Sequence, residues 1–130
     1  MKKILIGVSL LLLCTLSASA KEPKKMIRMN IDSGSEFYRT AKYESVGASK
    51  YSIWVEEHYT NKSPRRINGA SYSARRYLID CRNSQFRTST IFHFDNTGKL
   101  MGGGSTPHTK FASINFGTVE KSLFQLICLS

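Results

Sequence analysis

The chain has too little uninterrupted apolar sequence to cross a membrane as a helix. Its one long run, Ile4 to Leu13, falls well short of the roughly 20 residues a bilayer requires. A Gly-x-Ser-x-Gly elbow is missing, which removes the usual serine-hydrolase arrangement. Three consecutive glycines, Gly102 to Gly104, run into Ser105, Thr106, Pro107 and His108 instead of the Gly-Lys-Ser/Thr and helix of a phosphate loop. Cysteines never occur in a Cys-x-x-Cys spacing, so a structural zinc site has no framework, and no cofactor is expected. There is no internal repeat. Acidic residues are scarce, nine Asp and Glu against nineteen Lys and Arg.

The apolar run fits a different use. Met1-Lys2-Lys3 is a positive start, Ile4 to Leu13 an apolar middle and Ala18-Ser19-Ala20 a small-residue cleavage site. This order predicts a signal peptide over residues 1–20 and a single domain over 21–130, exported to the periplasm or the outer cell surface, with no transmembrane helix in the mature chain. Lipid attachment at Cys14 is the rival reading; it calls for a small preceding residue where Leu13 stands.

Export also fixes what the cysteines do. Once Cys14 is removed, Cys81 and Cys128 remain, and in an oxidising compartment they most simply pair with each other. The bond closes a loop of about fifty residues, for which chain entropy gives roughly 4 kcal/mol. A domain of this size is marginal without such help.

Loss of Lys2 and Lys3 leaves seventeen basic residues against nine acidic ones, a mature charge of +8. Outside the cytoplasm such a charge attracts lipopolysaccharide phosphates, heparan-like glycans, acidic segments of host proteins or free DNA; it also serves solubility alone. The densest cluster is Lys62, Arg65 and Arg66 in the loop Asn61–Ser73, followed closely by Arg75 and Arg76.

Period-2 alternation marks the strands. Met26–Ile31 and Glu36–Ser45 read as the first two, separated by the turn Asp32-Ser33-Gly34-Ser35. In Lys50–Tyr59, Tyr51, Ile53, Val55, Glu57 and Tyr59 alternate with Ser52, Trp54, Glu56 and His58, which leaves Trp54 among polar neighbours. Arg75–Gly98 reads as the central hairpin. Tyr77, Ile79 and Cys81 face inward against Arg76, Asp80 and Arg82; in the second limb, Phe86, Thr88, Thr90, Phe92 and Phe94 oppose Arg87, Ser89, Ile91 and His93. Asp95-Asn96-Thr97-Gly98 closes it as a turn. Lys99–Met101 starts a further strand that runs into a flexible glycine segment, and Lys110–Asn115 is a last strand or an extended entry to a helix. Val119, Leu123, Leu126 and Ile127 then recur at helical spacing, with Gly117 or Thr118 as cap and Glu120 in the first turn.

The order of these segments resembles the surface-adhesin E-like family of bacterial envelope proteins. The resemblance rests on the Trp strand at Ser52–Val55, on Leu78–Cys81, on the turn Phe94–Lys99 and on the segment Asn115–Cys128 with its closing cysteine. Phe116-Gly117-Thr118 stands where the family tends to have Pro-Gly-Ser, and Phe111 stands in place of its usual Trp. The likeness implies an α+β fold, a single antiparallel sheet of about six strands with a C-terminal helix packed on one face. It also implies binding of host matrix or serum proteins.

Function classes follow. The leading expectation is a binding module, not an enzyme, whose partner is an anionic macromolecule or a host matrix or serum protein. Its candidate contacts are Lys62, Arg65, Arg66, Arg75, Arg76, Arg82, Arg87 and Trp54; Arg76, Arg82, Arg87 and His93 are expected on the sheet face away from the helix, with Trp54 and the Arg65-Arg66 loop as neighbours. A periplasmic inhibitor or immunity-type protein is the alternative. A small basic nuclease would need two of His58, His93 and His108 brought together as general acid and base.

Overall fold

In the computed structural model, residues 25–31, 34–61, 63, 69–115 and 118–130 are described. The expected signal peptide, Cys14, Lys62, Arg65 and Arg66 lie outside them. The elements are β1 (Met26–Met29), β2 (Ser35–Thr40), β3 (Glu44–Gly47), β4 (Lys50–Tyr59), β5 (Tyr72–Asp80), β6 (Gln85–Phe94), β7 (Leu100–Ser105), β8 (Ala112–Ser113) and α1 (Val119–Cys128). They form one sheet of eight strands, not about six. The path β1-β2-β4-β5-β6-β7 carries β3 on β4 and β8 on β6, and every pairing is antiparallel.

The extra strand β3 arises because Glu36–Ser45 is not continuous. β2 pairs with β4 as far as Arg39 opposite Val55, and β3 resumes only at Glu44 opposite Ser52. The corner at residues 41–43 therefore leaves the β4 edge at Ile53 and Trp54 without a strand partner on that side.

Alternation in β4 and β5 holds as the sequence suggests. Ile53, Val55, Tyr77 and Ile79 are buried on one face with Met29 and Phe37, and Val119, Leu123 and Ile127 of α1 pack onto them. Burying Leu123 completely contributes about 1.5–3 kcal/mol. Thr118 caps the helix, its hydroxyl accepting from Lys121 N at 3.3 Å. The staple is Cys81–Cys128, with Cα atoms 5.5 Å apart, and it fastens the end of α1 to the turn after β5.

Two expectations about the hairpin need correcting. Arg76 pairs with Thr90 but Tyr77 pairs with Thr88, so Ser89 is an extra residue in β6. This β-bulge reverses the facing of everything beyond it. Phe86 and Thr88 share the helix-side face with Ile91 and His93, while Arg87 lies with Thr90, Phe92 and Phe94 on the opposite face. Ser89 is buried and its hydroxyl donates to the Arg76 carbonyl at 3.2 Å, which satisfies the bulge. Asp80, expected on the wet face, is also buried: its carboxylate accepts from Asn83 Nδ2 (2.8 Å) and N (3.2 Å) and shapes the β5–β6 turn.

The glycine segment expected to be flexible is instead strand β7. Gly103 has φ +120°, and a Cβ there would overlap the Ile91 carbonyl oxygen, so a side chain would drive β7 off β6. The turn before it forms as expected: Asp95 Oδ1 accepts from Thr97 N (2.9 Å) and Lys99 N (3.0 Å), and Gly98 takes φ 82°.

Candidate functional site

The helix lies on one face of the sheet, and among the described residues no helix or second sheet lies on the other. That outer face carries rings in register. Tyr38 meets His58 edge-on at 5.1 Å; His58 stacks on Tyr72 at 4.8 Å, and Tyr72 on Phe94 at 4.8 Å. The ladder thus crosses β2, β4, β5 and β6. Beside it Trp54 stacks on Phe92, centroids 6.2 Å apart and planes 12° apart. All six rings are half-buried, the state of large side chains packed on one another with no layer above them. Burial raises the Tyr72 phenol pKa, with Glu56 and Asp95 adding to it, so its hydroxyl stays protonated at neutral pH.

At the β2–β3 corner a cavity of about 350 Å³ opens beside Trp54. Arg76, directly opposite Trp54 in the β4–β5 register, lines it together with Lys42 and Lys25. Among the described residues Glu44 supplies the one acidic side chain, and Thr40 and Ser52 contribute hydroxyls.

The basic residues read from the sequence separate into different environments. Arg76 is half-buried, and its guanidinium makes no hydrogen bond or ion pair among the described residues. Arg82 is exposed in the β5–β6 turn. Arg87 is committed to structure, donating to the Thr106 and Thr109 carbonyls at 3.2 Å each and lying 6.0 Å from the Phe111 ring. Arg75 is not on the outer face. It sits on the helix-side face opposite Val55, and its Nη1 donates to Glu57 Oε1 at 2.8 Å.

His93 is likewise on the helix-side face, at the end of a polar chain. Arg75 Nη2 donates to Tyr59 Oη (3.4 Å), Tyr59 Oη is 2.7 Å from Ser73 Oγ, and Ser73 Oγ is 2.6 Å from His93 Nδ1. A guanidinium only donates, so each hydroxyl is free to donate onward and Nδ1 accepts, the arrangement of a neutral imidazole. Burial lowers the His93 pKa from 6.5, and the nearby Arg75 charge lowers it further. His58 lies on the outer face against Glu56 (3.0 Å), and His108 is exposed beyond β7. His58 and His93 thus stand on opposite faces and cannot act together on one phosphodiester.

The model of the surface-adhesin protein E family matches residues 27–129. This chain belongs to that family. No curated protein and no solved structure matches it. The segments that carried the resemblance have definite places in this surface-adhesin E fold: Leu78–Cys81 ends β5, Phe94–Lys99 is the β6–β7 turn, and the run to Cys128 is α1 with its cap. No described helix is long and apolar enough to cross a membrane.

Sequence reasoning missed Lys25, Lys42 and Glu44, because only the strand break at the corner brings them to Trp54. It also missed the ring ladder. Tyr38, His58 and Tyr72 are isolated in sequence, and the bulge at Ser89 is what aligns Phe92 and Phe94 with them.

Proposed function

We propose that this chain is exported and acts as an adhesin-type binding protein, engaging a carboxylate-bearing host matrix or serum glycoprotein through the outer face of its sheet. One observation carries the reading: a face of stacked rings that no described helix or second sheet covers holds Arg76, a half-buried guanidinium with no partner among the described residues. Rings supply rigid contact area at low entropic cost, and an unpaired guanidinium offers bidentate hydrogen bonds to carboxylates. The exposed Arg82 and the mature charge of +8 add attraction at longer range. Family membership supports adhesion as the setting.

The test is retention on an immobilised matrix or serum protein at about 50 mM and about 500 mM salt, where screening removes most long-range attraction. Retention should fall steeply with salt and fall further for Arg76→Ala. Retention indifferent to both changes contradicts the proposal. Retention on a sulfated glycan alone would replace the protein partner with a polysaccharide.

A further inference from the structure

We infer that the cavity at the β2–β3 corner is a subsite for one carboxylated pyranose, a sugar ring bearing a single carboxylate. This deepens the function proposed above and rests on it, since the sugar is the part of a host glycoconjugate that this corner holds. Four features carry it. The cavity, about 350 Å³, is of the size that holds a small ligand. Trp54 supplies a wall already fixed by its stack on Phe92, with planes 12° apart, so little ordering is left to occur on binding. Arg76, Lys42 and Lys25 surround the space with positive charge, and none of the three side chains makes an ion pair among the described residues.

The fourth feature selects the ligand class. Glu44 lines the same cavity. A carboxylate there repels a phosphate dianion or a run of acidic side chains, but it accepts hydrogen bonds from hydroxyls. Ser52 and Thr40 extend the polar rim, although the Thr40 hydroxyl already donates to the Lys42 carbonyl at 3.0 Å and has only acceptor capacity left. A ligand matching all of these presents one negative group to Arg76, hydroxyls to Glu44 and an amphipathic ring face to Trp54. A carboxylated pyranose has each; an acidic peptide side chain has only the first.

The chain contains one tryptophan, so fluorescence excited at the red edge, where its six tyrosines do not absorb, reports on the surroundings of Trp54. The mature protein is titrated with glucuronate and N-acetylneuraminate, and separately with glucose, acetate and inorganic phosphate. A saturable change with either acidic sugar, absent with the other three, is expected. Arg76→Ala should weaken it by about tenfold or more, as for loss of a charge-assisted pair, and Glu44→Gln by a smaller factor. Lys99→Ala, an exposed charge in the β6–β7 turn, should leave it unchanged. Fluorescence of Arg76→Lys, which keeps the charge, separates lost recognition from lost folding: it should keep part of the response. No response to either acidic sugar, or an equal response to acetate or phosphate, overturns the inference. If salt-sensitive retention on the matrix protein persists in that case, the adhesin reading survives and only the sugar subsite is lost.

Discussion

Arg75 Nη1 and Glu57 Oε1 lie 2.8 Å apart on the helix-side face, with only 11% and 2% of their side chains exposed. The pair joins β5 to β4 on the face that α1 packs against. Removing the Glu57 carboxylate leaves the Arg75 guanidinium with only the Tyr59 hydroxyl and little water, a cost of about 3–5 kcal/mol. Glu57→Leu should therefore lower the urea midpoint sharply, and Glu57→Leu with Arg75→Leu should recover part of the loss. Equal destabilisation by the single and double variants would show that the charges are not coupled.

His93 gives the fold a pH dependence of known sign. Its folded pKa is below 6.5 because burial, assisted by the Arg75 charge, disfavours the imidazolium. The unfolded chain takes up this proton first as pH falls. Stability is thus complete above 6.5, declines as pH drops from 6.5 toward the folded value, and levels off below it. Urea midpoints from about pH 7.5 to about pH 5 should fall for the wild type and fall less for His93→Gln. His58 and His108 remain in both proteins, so the difference isolates His93. Parallel pH profiles would remove the assignment.

The Cys81–Cys128 bond spans 47 positions, and loop entropy assigns it about 4 kcal/mol. Cys81→Ala with Cys128→Ala should cost about that much, enough to leave a domain of this size close to unfolding. Calorimetry checks it: a melting temperature within a few degrees of the wild type would mean that α1 is held by Val119, Leu123 and Ile127 alone.

These relationships differ in how far sequence reveals them. The buried sides of β4, β5 and α1 were legible because period-2 and helical spacing record burial directly, and the disulfide followed from compartment and count. Facing along β6 was not legible, since a bulge changes the period by one residue and Ser89 carries no mark of it. That single residue moves His93 to the helix side and Phe92 and Phe94 to the outer side. β7 was hidden for a related reason: glycine suggests a loop, yet Gly103 is needed where two backbones meet closely. Arg75 is a candidate contact on charge alone, whereas its position, two residues from Tyr77, puts it on the buried face. The cavity by Trp54 depends on a corner and on side chains from distant segments, which no local pattern encodes.

In the proposed function, folding occupies one face of the sheet and binding the other. The most direct measurement is an NMR titration of the isotope-labelled mature protein with a partner retained in a salt-sensitive manner, following the single Trp54 indole N–H together with the backbone amides. Perturbations are expected at Trp54 and Arg76 and along Tyr38, His58 and Tyr72, while Leu123 and Ile127 in α1 stay unshifted. A silent Trp54 indole with shifts centred on α1 would contradict the proposed function.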